Sequence, residues 1–172
     1  MSLPLLKINS HPLHFLAGLS IQQSYEAVGG GSSVLRLGTG AAIKQQVWRK
    51  NETTISGSGR MPPALNQIDW SAPVTIDCVA LQAVQGATTS ITLPAARRSD
   101  AGPFGFAVLA DGKLQKTTIS VTGNAATLGA VAGAVAYAVH YYPVMTCVCQ
   151  GPTQRTDATG TAVSWSLTAE EV

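Results

Sequence analysis

The run from Ala125 to Gln150 (AATLGAVAGAVAYAVHYYPVMTCVCQ) contains no Asp, Glu, Lys or Arg, and His140 is its sole imidazole. From Ala134 onward Val135, Tyr137, Val139 and Tyr141 occupy one parity, and Ala134, Ala136 and Ala138 the other. A period of two belongs to a pleated strand, whose successive side chains point to opposite faces. With no charge on either parity, both faces are expected to be covered by protein. A membrane helix is the competing use of such a tract. Gly129, Gly133 and the small side chains argue against it, and His140 and Pro143 interrupt the run short of the ~20 residues a span requires. No membrane span is expected.

The whole chain shows the same shortage of charge. Only 12% of its 172 residues are charged, about half the share usual in soluble domains. Either neighbouring subunits cover part of the exterior, or Ser, Thr, Gln and Gly solvate it in a monomer. The eleven Lys and Arg are scattered, with a net charge of +2. Arg49-Lys50 and Arg97-Arg98 are the only adjacent pairs and read as solvated strand ends or loops. Neither makes the basic stripe with interleaved aromatics of a nucleic-acid reader. The start of the chain lacks a basic n-region and is broken by Pro4 and Pro12, so no secretory signal is expected. Cys78, Cys147 and Cys149 form an odd set, expected to be reduced thiols in a reducing cytoplasm.

Turn chemistry punctuates the rest into about ten strands. Leu3–Ile8 ends at Asn9-Ser10, and Leu19–Glu26 alternates cleanly. Gly29-Gly30-Gly31-Ser32-Ser33 reads as a flexible loop tip. Val34–Leu37 and Ala42–Lys50 flank the Gly38-Thr39-Gly40 turn, and Glu52–Ser58 follows. Met61-Pro62-Pro63 forbids a ladder, and Ala64–Trp70 reads as one or two helical turns with Leu65 and Ile68 inward. Further strands are expected over Val74–Leu81 and Ser90–Leu93. Phe104–Ala110 and Lys113–Val121 form a hairpin about Asp111-Gly112, with both turn residues at positive φ. Ala126–Val131 and Val135–Val148 make another hairpin or one kinked strand, and Thr161–Ala169 is the last strand. The expected fold is mostly β, an antiparallel β-sandwich or partly closed barrel with one short helix, in a single domain over residues 1–172.

No chemistry-bearing constellation rises above its packing role. His11-x-x-His14 is spread by Pro12-Leu13. Cys147-x-Cys149 puts two thiols on one strand side without a second ligand pair, so no metal site is expected. Gly57-Ser58-Gly59 lacks the strand-to-helix context of a nucleophile elbow, and Cys78 sits mid-strand. Asp69, Asp100, Asp111 and Asp157 occupy turn or capping contexts. Gly38-Thr39-Gly40 lacks the rest of a phosphate loop. No catalytic residue, cofactor or metal is expected, and the protein is read as a non-enzyme.

Several stretches carry a resemblance. Trp48–Cys78 (WRKNETTISGSGRMPPALNQIDWSAPVTIDC), Ala134–Cys147 (AVAYAVHYYPVMTC), Ser164–Val172 (SWSLTAEEV) and Ile8–Gly30 (INSHPLHFLAGLSIQQSYEAVGG) resemble small structural proteins of tailed-bacteriophage tail modules. That group includes distal-tail-like and ripcord-type baseplate proteins of contractile-tailed Pseudomonas phages. The resemblance implies a virion protein of the tail, assembled in the host cytoplasm as a homo-oligomeric ring that links tube to sheath, hub or tape measure. It implies no site residues, and contact with nucleic acid only passively in a tail lumen. The rival expectation is a β-sandwich module that binds a host-surface glycan or protein, with Trp48, Trp70, Tyr141 and Tyr142 as stacking residues.

Overall fold

The computed structural model describes residues 4–160 and 162–172. Leu3 and Thr161, the first residues of two expected strands, lie outside the described residues. The described residues are 53% strand and 2% helix, in several antiparallel sheets with no closed barrel among them, and a sandwich-like arrangement fits. It divides into two compact units: Asp77–Met145 with the residues up to Leu6, and Lys7–Ile76 with Thr146–Val172. The first is thus largely an insertion between two parts of the second.

The second unit begins with β1 (Lys7–Ile8) and β2 (His11–Pro12). They pair through Ile8↔His11, and Asn9 and Ser10 stand at φ 48° and 66°, the two left-handed residues of a tight hairpin. A short 3-10 turn at Phe15–Ala17 follows. Then come β3 (Ser20–Ala27), β4 (Ser32–Arg36), β5 (Ala42–Gln46), β6 (Asn51–Gly59) and β7 (Val74–Asp77). The expected helix at Ala64–Trp70 is absent. Ala64 is held at φ 56°, outside the helical region, directly after two prolines that supply no donors. One Ile68 N–H···O Leu65 turn remains, and both of those side chains are buried as expected.

Val74–Leu81 is not one strand. The chain leaves the sheet at Asp77 and resumes as β8 (Gln82–Gly86) in another, followed by β9 (Ser90–Thr92), β10 (Phe104–Leu109), β11 (Leu114–Thr117), β12 (Ile119–Thr122), β13 (Ala125–Leu128) and β14 (Ala134–Tyr141). Two sheets form, ordered β11-β10-β14-β8 and β12-β13-β9. The Asp111-Gly112 hairpin is present with a different turn: only Gly112 has positive φ, at 81°. Its N–H bonds Leu109 O, and Leu109 N–H bonds Lys113 O, the turn-plus-bulge pattern of longer hairpin loops. Lys113–Val121 is divided at Thr118, which passes the chain from one sheet to the other. Likewise β13 and β14 do not pair as a hairpin; β13 lies between β12 and β9, and β14 between β10 and β8.

Alternation explains why these sheets pack. Ile91 from β9, Ala126 and Leu128 from β13, Ala107 from β10, and Tyr137, Val139 and Tyr141 from β14 share one core cluster. On the other parity Ala138 is also buried, so the middle of β14 is covered on both sides, as its lack of charge requires. Val135, beside the Gly133 turn, is exposed.

The chain returns through β15 (Val144–Val148), β16 (Thr153–Thr156) and β17 (Val163–Glu171). With these the sheet reads β2-β1-β7-β15-β17-β6-β3, and β16 adds to β17. One parity of its centre is apolar and buried: Ile55 on β6, and Val163, Trp165, Leu167 and Ala169 on β17. The other parity faces water.

Candidate interaction surface

That water-facing side is built in rows. Across β3, β6 and β17 the partners run Ser20, Ser58, Ser164; then Gln22, Ser56, Ser166; then Ser24, Thr54, Thr168; then Glu26, Glu52, Glu170. Three rows of hydroxyls and amides solvate the sheet without charge. This accounts for part of the low charge content, so scarcity of charge alone does not require a covering partner. The fourth row sets three carboxylates directly opposite one another. None has a side-chain hydrogen bond or ion pair among the described residues. Directly opposed like charges are destabilising by roughly 0.2–1 kcal/mol per pair. Removing the central charge relieves both contacts, so Glu52→Gln should raise the melting temperature, measurably by calorimetry at low salt and less at high salt.

The second feature is an arm. Strands β4 and β5 form a two-stranded sheet of their own, and every residue in them is exposed. Their register continues that of β3 and β6: Ala27 pairs with Asn51, Val28 N–H bonds Lys50 O, and Ser32 pairs with Gln46. Ser20 to Gly59 is therefore one long hairpin, with its tip at Gly38–Gly40 and an irregular joint partway along. The glycine run is that joint, contrary to its expected role as a loop tip. Ser32 and Ser33 belong to β4, and Gly31 is buried. A Cβ on Gly31 would lie 2.4 Å from Trp48 O and 2.7 Å from the indole. Glycine is required there by close approach rather than by flexibility.

Strand parity gives the arm two unlike faces. Leu35 pairs with Ile43, with Leu37 on the same parity, and all three are exposed, as are Val34, Val47 and Trp48. The opposite face carries Arg36 and Lys44, together with Val34. Between Val28 and Asn51 there are four cations and no acid: Arg36, Lys44, Arg49 and Lys50. A lone two-stranded hairpin is at best marginally stable in water. An arm with this much uncovered apolar surface is a candidate contact surface. A further apolar exposure sits on the same unit at Phe15, Leu16, Leu19 and Met61, where Leu16 O accepts from Arg60 N and Met61 N.

The residues weighed for chemistry are dispersed. His11 Nδ1 meets Gln67 Nε2 at 3.4 Å, whereas His14 Nε2 meets Pro62 O at 3.1 Å. Among the described residues no three His, Cys, Asp or Glu are grouped to hold a metal. Asp69 bonds Ser71 N and Oγ, Asp111 bonds Lys113 N, and Asp157 bonds Ala162 N and Thr159 Oγ1. These are the turn roles expected of them, and the Ser71 and Lys113 contacts hold the Asp69 and Asp111 carboxyls below their ordinary pKa. Asp100 differs: it pairs with Arg98. An open depression of about 640 Å³ is lined by Ser58, Arg60, Arg155, Asp157 and Ser164 among others, without a histidine or cysteine to act as base or nucleophile.

Arg97-Arg98 is not a solvated pair. Arg98 is 3% exposed, and Arg97 bonds Pro94 O, Asn124 Oδ1 and Gly123 O. Adjacent basic residues in a polar loop gave no sign of this, because most of their acceptors are backbone carbonyls, several of them distant in sequence.

Among the described residues no disulfide forms. Cys78 and Cys147 are buried and Cys149 is half-buried, where burial pushes its pKa up against a weaker opposing bond to Gly151. Because the thiolate is the reactive form, a thiol reagent near neutral pH should modify Cys149 slowly. All three should react at once in denaturant; fast native labelling of two or more would contradict the burial.

Of the four aromatics weighed for stacking, Tyr141 and Tyr142 are buried, and Tyr141 donates to Gln82 Oε1 at 3.0 Å. Trp70 packs on Gly151, and Trp48 belongs to the arm joint. No shared aromatic platform results. Among the described residues no helix is long and apolar enough to cross a membrane. The chain matches no family model, no curated protein and no solved structure.

Proposed function

We propose that this chain is a non-enzymatic structural subunit of a bacteriophage tail, acting at the baseplate or tube end as a self-associating ring component. The observation that carries the reading is the arm: a solvent-exposed, amphipathic two-stranded extension on a charge-poor β protein. Such an element has little use in a solitary binding domain and an evident one in a subunit that grips neighbours. The open order of the sheets supports the same reading, since an end strand is a template for another chain. The resemblance of its strand and turn segments to tail-module proteins supplies the biological setting. Tube, sheath, hub or tape-measure proteins would then be its other partners.

Immunogold labelling of tailed particles from cells that encode the chain tests this reading. Label at one end of the tail is the expected result. Particles that carry none, with the protein wholly in the unassembled fraction, would contradict it.

A further inference from the structure

The arm and the sheet edge beside it fit one another, although they cannot meet within one chain. Among the described residues, β3 (Ser20–Ala27) is the end strand of the eight-stranded sheet. One parity of β3, Ile21, Gln23 and Tyr25, belongs to the sheet's buried side, where Gln23 Nε2 donates to Thr53 Oγ1, while the other carries Ser20, Gln22, Ser24 and Glu26. The arm has the same two-sidedness, with Leu35, Leu37 and Ile43 on one face and Arg36 and Lys44 on the other. A strand laid along an edge keeps its alternation. Apolar would therefore continue apolar, and the arm's cations would continue the polar side where Glu26 begins the unpartnered carboxylate row.

The arm cannot reach that edge in its own chain. It prolongs β3 and β6 in their own register, and Gly31 O accepts from both Val47 N and Trp48 N at the joint. Folding back along β3 would break those bonds and separate Gly31 from the Trp48 indole it touches. A second copy has no such restriction.

We propose that the arm of one copy adds as a strand to the outer β3 edge of a second copy, with Lys44 and Arg36 meeting the Glu26 end of the Glu26–Glu52–Glu170 row. This rests on the self-assembling reading above and names the surfaces it uses. The contact joins two different patches of the same chain, so it propagates from copy to copy and closes into a ring or continues as a filament.

The test uses the full chain in a Cys149→Ser background. Copies carrying Lys44→Cys and one tag are mixed with copies carrying Glu26→Cys and another tag. Disulfides between differently tagged copies should form about tenfold faster than in a control pairing Lys44→Cys with Ser164→Cys, which lies two strands from the edge. A charge swap gives an independent measurement. Glu26→Lys alone and Lys44→Glu alone should each weaken association about tenfold in sedimentation, because like charges then face each other. Mixing the two variants should restore it. Linking no faster than in the control, or a disulfide formed within single chains carrying both cysteines, would overturn the proposal, as would unaltered association in both charge variants. If tails are labelled while these outcomes are found, the arm assignment fails and the structural reading stands.

Discussion

Replacing Arg98 with methionine should destabilise the protein by about 3–5 kcal/mol, because three carbonyls lose a donor at about 1–3 kcal/mol each. The side chain is a clasp. Its Nη1 donates to Leu5 O at 2.8 Å, Cys78 O at 3.1 Å and Asp77 O at 3.2 Å. Nε and Nη2 each meet a different oxygen of Asp100 at 2.8 Å. All these partners lie in the inserted unit. Methionine keeps the stem's volume and removes every donor, leaving three carbonyls to find water. The pairing with Asp100 holds the guanidinium pKa above its ordinary value, against the opposing effect of burial, so charge loss is not an escape. Asp100 is half in solvent, and Asp100→Asn should therefore cost much less, about 1 kcal/mol. Arg98→Lys should fall between, since one ammonium cannot serve a forked carboxylate and three carbonyls together. Urea midpoints rank the three variants; equal effects from Arg98→Met and Asp100→Asn would show that the ion pair, and not the carbonyl clasp, matters.

Trp165→Ala should have an effect of similar size in the other unit, about 3–5 kcal/mol for deleting a buried tryptophan. The indole is 3% exposed, and its Nε1 donates to Ala17 O at 2.9 Å, pinning the 3-10 turn to β17. Its ring lies over Gly57 on β6, where an added Cβ would stand 2.6 Å from ring atoms. Gly57→Ala should consequently be destabilising by about 1–3 kcal/mol through overpacking. Combining it with Trp165→Phe should cost less than the two changes separately, because the smaller ring vacates the space the methyl needs. Denaturation of the four proteins forms the cycle; strict additivity would mean that Gly57 is required for some reason other than the indole.

These two sites mark what the sequence made readable and what it did not. Alternation identified β3, β14 and β17 as strands, and set Tyr137 and Val139 on one parity of β14. It also identified the Asp111-Gly112 hairpin. Strands lacking that signal were missed: Gln82–Gly86 and Thr153–Thr156 hold one β-branched valine and two terminal threonines between them, too little to outweigh their glutamines. Where a continuous apolar run crosses from one sheet to another, at Asp77, Thr118 and Gly129–Gly133, local pattern has no information, since sheet membership is decided by partners far along the chain. The helix expected after Pro62-Pro63 failed because Ala64 takes up a left-handed conformation that composition does not announce. Arg98 looked like surface because, Asp100 apart, its acceptors are main-chain carbonyls, which every sequence possesses.

The arm was half readable. The Gly38–Gly40 turn and its flanking strands were evident, yet the triple glycine suggested a free loop. Only the shared register of Ala27↔Asn51 and Ser32↔Gln46 reveals a joint in one ribbon. Exposure on both of its faces was invisible in the sequence, because Leu35, Leu37 and Ile43 have the spacing of a buried strand.

A cryo-EM reconstruction of tailed particles from cells encoding this chain tests the account most directly. It should show copies of this β fold arranged around the tail axis, each with residues 32–46 laid against β3 of its neighbour. A tail that lacks the chain, or a ring whose arms extend free into solvent, would contradict it.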